Sequence, residues 1–226
     1  MSKKLIATDF DGTLCRKRRI STNDRKYIAE WQKSGRYFGI VTGRGQDFFK
    51  TVKKMHIKPD YLIVYNGALV ADADGNIIHE DFIDRDTFNE IKEIFLQNPE
   101  GRVYYDETGD EDAYHQYYAT YANPQKALVV ADIINQKLGD KVNAVVNGPH
   151  VNIGKKGATK ANGVRHILEH YGLKEDEGAV VGDDYNDLDM IKQLDGWAMA
   201  SGREDVKAQA NHICFSVGSL AKKLMK

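Results

Sequence analysis

A chain of 226 residues is long enough for one large α/β domain, or for a core carrying a smaller inserted domain. Lys and Arg number 32 against 33 Asp and Glu, and a formal net charge of −1 gives no electrostatic reason to expect nucleic acid or an anionic membrane as partner. Cys15 and Cys214 are too few for a disulfide framework or a cysteine-rich metal site, and the apolar run Leu5 to Ala7 is too short for a signal peptide or a spanning helix, so a cytoplasmic protein is expected.

In chain order, Leu5 to Thr8 reads as a short buried strand running into Asp9-Phe-Asp-Gly-Thr13. Ser21 to Asp24 has the composition of a helix start, and Gly35 is a natural stop. Tyr37 to Val41 is a second buried strand, ending at Thr42-Gly-Arg44. A helix to about Met55 is broken by Pro59, and Tyr61 to Tyr65 is a third strand ending at Asn66-Gly67. This alternation indicates a parallel sheet with crossover helices.

The pattern then changes. Ala68 to Asp72 and Asn76 to Glu80 flank a turn at Asp74-Gly75 and read as a hairpin. A helix follows over Thr87 to Gln97, then a strand over Arg102 to Asp106. Asn123-Pro124 opens a helix to about Leu138, and Val142 to Asn147 with His150 to Ile153 forms another hairpin. Because hairpins do not continue a parallel sheet directly, residues 70–155 are read as an α+β insertion. Residues 1–69 and 156–226 are read as a discontinuous α/β core with a Rossmann-like parallel sheet. After Lys160 the alternation resumes, with a helix to Tyr171, a strand Gly178 to Val181 ending at Gly182-Asp183, and a helix Leu188 to Leu194.

Polar residues gather at the carboxyl ends of these strands, where open α/β sheets bind ligands. Asp9, Asp11, Thr42, Asn66 and Asp183 all sit there. Asp9 and Asp11 alone would be an ordinary turn, but they have an acidic counterpart in Gly182-Asp-Asp-Tyr-Asn-Asp187. Mg²⁺ takes hard oxygen ligands, often one or two carboxylates with waters and a substrate phosphate. A carboxylate nucleophile approaching a phosphate dianion needs such an ion and a lysine to offset the repulsion. Lys160, where the chain leaves the insertion, is the candidate lysine.

Asp9-Phe-Asp-Gly-Thr-Leu14, Val41-Thr-Gly-Arg44, Lys160 and Gly182-Asp-Asp-Tyr-Asn-Asp187 resemble, in order and spacing, the four motifs of the haloacid dehalogenase superfamily. The insertion between the second and third motifs resembles a short type-2 cap of the Cof-like sugar-phosphatase branch, as in small phosphoglycolate or sucrose-phosphate phosphatases. The resemblance implies a Mg²⁺-dependent phosphatase acting on a small phosphorylated metabolite. In it Asp9 becomes the aspartyl-phosphate, and Asp11 protonates the leaving oxygen and then activates water. Thr42 and the Gly43 backbone hold phosphate oxygens, and Lys160 neutralises charge. Mg²⁺ is held by Asp9, the Asp11 main-chain carbonyl and Asp183. Asn186 and Asp187 orient the phosphate, the lysine or metal-bound waters. The chain departs from the family in placing Ala161-Asn162-Gly163 after Lys160, where Gly often follows directly.

Six tyrosines lie between Tyr104 and Tyr121, suited to a polyol substrate but more simply the packing of the insertion itself or of a dimer face. His115 among them is expected at the surface. Arg16-Lys-Arg-Arg19 is expected as a solvated basic loop. A phosphomutase is the first alternative, disfavoured by only two arginines, Arg85 and Arg102, within 70–155. The second is a catalytically silent module that binds a phosphorylated ligand, disfavoured by the presence of Asp9, Asp11, Lys160 and Asp183. Neither nucleic acid nor membrane is expected as partner, and the chain is expected as monomer or homodimer.

Overall fold

Leu5, Ile6 and Ala7 have no polar side chain to satisfy, so they can be enclosed on both faces, and they open the buried strand β1 (Leu5–Asp9). The computed structural model describes residues 2–107 and 112–226. Ser21 Oγ accepts from the Asp24 N–H and caps α1 (Thr22–Lys33). Asp24 is itself fully buried and accepts from Arg16, from the Ser21 hydroxyl and from the Gly218 N–H, so both oxygens of a costly buried charge are hydrogen-bonded. Trp31 is buried and donates its indole N–H to the Tyr37 carbonyl, tying α1 to β2 (Tyr37–Val41). The helix α2 (Asp47–Lys53) and the strand β3 (Tyr61–Val64) follow. β1 pairs in parallel with β2, and β2 with β3.

After β3 the chain reverses. Tyr65 and Asn66 adopt φ of 52° and 55°, and Gly67 has φ of 115° with its α-carbon so close to the Thr159 carbonyl that no side chain fits. This corner sends β4 (Leu69–Asp72) back antiparallel along β3, with β5 (Ile77–Glu80) beyond it. The hairpin expected to open the insertion at residue 70 therefore extends the core sheet. Strand alternation alone does not exclude this, because an antiparallel edge on a parallel sheet is a common arrangement.

Residues Glu80–Ala158 form their own compact unit. It contains β6 (Ile83–Asp84), α3 (Arg85–Leu96), β7 (Gly101–Glu107), β8 (Ala113–Tyr121), α4 (Pro124–Leu138), β9 (Val142–Asn147) and β10 (His150–Lys155). The strands run β6-β8-β10-β9 with β7 paired to β8. β8 was not legible as a strand, because its tyrosines are interleaved with small and polar residues. Tyr114, Tyr117 and Tyr121 are buried in this unit's core with Phe88, Ile91, Phe95, Val130 and Ile134. Phe88 stacks on Tyr114 with ring centroids 3.7 Å apart. Tyr104 and Tyr105 stay exposed, and Tyr104 stacks on the half-buried Tyr118. His115 is not at the surface as expected. It is buried within β8, with Nε2 2.6 Å from the Glu80 carboxylate. Asp110 and Glu111 of this segment lie outside the described residues.

The other unit, residues up to His79 with Thr159–Lys226, is completed by α5 (Lys160–His170), β11 (Gly178–Gly182), α6 (Leu188–Gln193), β12 (Gly196–Met199), α7 (Glu204–Lys207), β13 (His212–Cys214) and α8 (Val217–Leu224). Among the described residues its sheet runs β13-β12-β11-β1-β2-β3-β4-β5. β1 lies between β11 and β2, so the turns after those three strands emerge side by side at one edge. Among the described residues, no helix is long and apolar enough to cross a membrane. Both cysteines are free, and in the basic loop Lys17, Arg18 and Arg19 are exposed while Arg16 pairs with Asp24 and donates to the Phe215 carbonyl.

Candidate active site

Asp9 ends β1 and is almost fully buried. Lys160, the first residue of α5, is enclosed too, and its Nζ donates to Asp9 Oδ1 at 2.7 Å and to Asp187 Oδ1 at 2.6 Å. Its position is fixed at the helix start: Thr159 caps α5 by accepting from Asn162 N, and Asp189 accepts from Ala161 N. Gly163 packs its α-carbon against Ile63 and Gly67, so the glycine displaced from its usual place serves close approach of α5 to the sheet. Asp187 is fully committed. Its Oδ2 accepts from the N–H groups of Asp183 and Asp184, which holds the turn after β11 in shape.

Asp183 lies beside Asp9 and Asp187, with one oxygen from each of the three within 4.8 Å of the others. Thr13 donates its hydroxyl to Asp183 Oδ1. The other oxygen, Oδ2, faces Gly12, where φ is +89° and an added Cβ would come within 2.2 Å of it. Gly12→Ala is therefore expected to push Asp183 out of place and to lower turnover about 10²-fold, the scale of a misplacement of about 1 Å, read by steady-state kinetics. Unchanged turnover would show that the Gly12 cradle is not needed.

The electrostatics follow from crowding. Burial, and then Asp187, hold the Asp9 carboxyl well above the ordinary range, with Lys160 opposing them. Asp183 is pushed up to about 6 by burial, against the Thr13 bond, with Asp187 and Asp184 adding like charge. Burial works to lower the Lys160 pKa, yet Asp187 and Asp9 outweigh it and hold it above the usual lysine value. One lysine thus faces three carboxylates, which leaves the cluster short of positive charge. Asp9 Oδ2 and Asp183 Oδ2 accept no hydrogen bond among the described residues. Carboxylates this close together, two of them with an unfilled oxygen and the cluster short of positive charge, fit a hard divalent cation.

The remaining predicted residues are placed differently. Thr42 and Gly43 follow β2. Thr42 is buried with its hydroxyl accepting from Arg44 N, and Gly43 lies against the Asn66 side chain, whose Oδ1 is buried without a partner. Asn186 sits in the turn between Asp183 and Asp187 and makes no hydrogen bond to Lys160 or Asp9. Asp11 stands apart from the carboxylate cluster: its side chain is 58% exposed and clasped by Arg44 through two bonds of 2.7 Å. The roles of Thr13 and Arg44 were missed. Both lie inside the quoted motifs Asp-Phe-Asp-Gly-Thr13 and Thr-Gly-Arg44, but only three-dimensional contact shows what they hold.

The family model of haloacid dehalogenase-like hydrolases matches residues 6–118 and 104–219, nearly the whole chain. The chain belongs to this family. It is an enzyme of the HAD phosphatase type, as its relatives indicate. A 5-amino-6-(5-phospho-D-ribitylamino)uracil phosphatase of Bacillus subtilis, YcsE, is 27% identical over 93% of this chain and 89% of its own length. The Escherichia coli phosphatase YbjI, named for the same compound, is 24% identical over 94% and 90%. The solved structure of a haloacid dehalogenase-like hydrolase from B. subtilis superposes with a TM-score of 0.86 at 18% identity, covering 98% of this chain and 99% of that one.

Proposed function

We propose that this HAD-type phosphatase hydrolyses a small phosphomonoester through a covalent phosphate on Asp9, with Mg²⁺ as cofactor. The observation that carries the reading is the buried Asp9, held by Lys160 on one oxygen and open on the other beside Asp183. Mg²⁺ would be held by Asp9, Asp183 and the Asp11 carbonyl, and when bound it would offset the negative charge between nucleophile and phosphate.

In the first step the open oxygen of Asp9 attacks phosphorus in line. The P–O bond to the leaving alkoxide breaks, and Asp11 supplies the proton that alkoxide takes. In the second step the Asp11 carboxylate removes a proton from water as its oxygen bonds to phosphorus. The Asp9–phosphorus bond breaks, and inorganic phosphate leaves. Lys160 keeps Asp9 oriented throughout, Asp187 keeps Lys160 in place, and Thr42 with the Gly43 N–H holds phosphate oxygens. Asn186 supports the phosphate from the third turn. Arg44 holds both oxygens of Asp11, so that pair must open before Asp11 can carry a proton.

The test is phosphate release from p-nitrophenyl phosphate, followed by a panel of metabolites headed by 5-amino-6-(5-phospho-D-ribitylamino)uracil, the compound for which YcsE and YbjI are named. Turnover is expected with Mg²⁺ and not in EDTA, and Asp183→Asn is expected to raise the Mg²⁺ concentration for half-activation about tenfold or more. Full turnover in EDTA would overturn the metal assignment.

A further inference from the structure

The core unit also contains a cavity of about 780 Å³, bounded by α1, α2 and the segment leading into β3. Topology fixes which edge of the sheet it occupies. Lys58 and Pro59 precede β3, and Ala73 and Asp74 follow the antiparallel β4, so the cavity lies at the amino ends of the parallel strands. Asp9, Thr42 and Asp183 leave the carboxyl ends of theirs. The cavity is therefore separate from the carboxylate cluster.

Its chemistry is of two kinds. Ile28, Val52, Ile57 and Leu62 give it an apolar, well-buried lining. Arg25, Lys53, His56 and Lys58 line it as well, against a single carboxylate, Asp74. Neither Arg25 nor Lys53 forms an ion pair among the described residues, and Arg25 Nε is buried with no hydrogen-bond partner. A buried donor without an acceptor is costly, and native proteins rarely leave one so. The volume is that of a small-molecule site, and apolar walls with a few fixed polar groups are what such sites present.

We propose that this cavity binds a small amphiphile with an apolar body and a carboxylate head. The body lies on Ile28, Val52 and Leu62, and the head meets Arg25, whose planar fork matches a carboxylate better than it matches a point charge. Lys53 adds attraction from the other wall.

Isothermal titration of the full chain with 2-naphthoate and with decanoate tests it. At least one should bind saturably at one site per chain, and the uncharged 2-naphthamide should bind about tenfold more weakly than 2-naphthoate or worse. Arg25→Gln should weaken the anion about tenfold, and Ala29→Trp, which places a large side chain in the cavity, should abolish binding. Thermal melts and turnover of p-nitrophenyl phosphate report whether each variant is folded. Lys53→Gln serves if Arg25→Gln folds poorly, with a loss of about threefold or more expected. The proposal is overturned if neither anion binds, if the folded charge variants bind as tightly as the parent, or if the amide equals the acid.

Discussion

Asp9→Asn is expected to lower turnover of p-nitrophenyl phosphate about 10⁴-fold or more while leaving the protein at least as stable as its parent in EDTA. The two halves have one cause. Asp9 is held above the ordinary carboxyl range by burial and by Asp187, with Lys160 opposing, so its ionised form is a net cost to the folded state without a cation. An asparagine keeps the shape and an oxygen for Lys160, removes the charge, and cannot form the acyl phosphate. A residue held at a cost to stability and needed for turnover is the pattern of a functional site. The measurement pairs steady-state kinetics with thermal melts in EDTA. Turnover persisting in the variant, with contamination excluded by a second purification, would remove Asp9 as nucleophile. A sharply lower melting temperature would instead give Asp9 a structural role.

Lys160→Met should cost about 3–5 kcal/mol at neutral pH in EDTA, as removal of one partner from a buried ion cluster does, and turnover should be lost with it. Methionine approximates the length and volume of the lysine stem, so the deficit reports the charge. It should also depend on pH in a stated direction. Lys160 is the group that opposes the upward shift of Asp9, and removing it raises that carboxyl further. A carboxyl whose folded pKa lies above its unfolded value makes stability fall as pH rises between the two. The unfolded carboxyl is common to both proteins and cancels in the difference. The deficit should therefore be smallest at about pH 4, where Asp9 is protonated in both folded forms, and larger at neutral pH. Urea melts at both ends of that range decide it. An equal deficit at both would point to packing around the lysine stem.

Much of the core and its site is readable from residue order. Leu5 to Ala7, Tyr37 to Val41 and Gly178 to Val181 are apolar runs that only burial on both faces satisfies, and each passes directly into a polar turn. Local chemistry therefore determined these strands, the cap at Ser21, and the candidates Asp9, Thr42, Lys160 and Asp183. The aromatic unit was less legible. In β8 small and polar residues stand between the tyrosines, and the ring contacts with Phe88 and Phe95 that help bury them form only between segments distant in sequence.

Tertiary structure alone decided three things. The hairpin from Leu69 to Glu80 joins the core sheet because Tyr65, Asn66 and Gly67 turn the chain through left-handed backbone; Asn66-Gly67 signals a turn, but not which sheet the returning strand joins. His115 is buried because β8 and Glu80 enclose it. The division of labour among the acids is likewise spatial. Asp187 is consumed by Lys160 and two backbone N–H groups, Asp11 by Arg44, and Asp9 and Asp183 keep an open oxygen each. Sequence determined which residues have carboxylates to offer at one edge of the sheet. Which of those oxygens stay unpaired depends on donors brought from elsewhere in the chain, and only folding brings them.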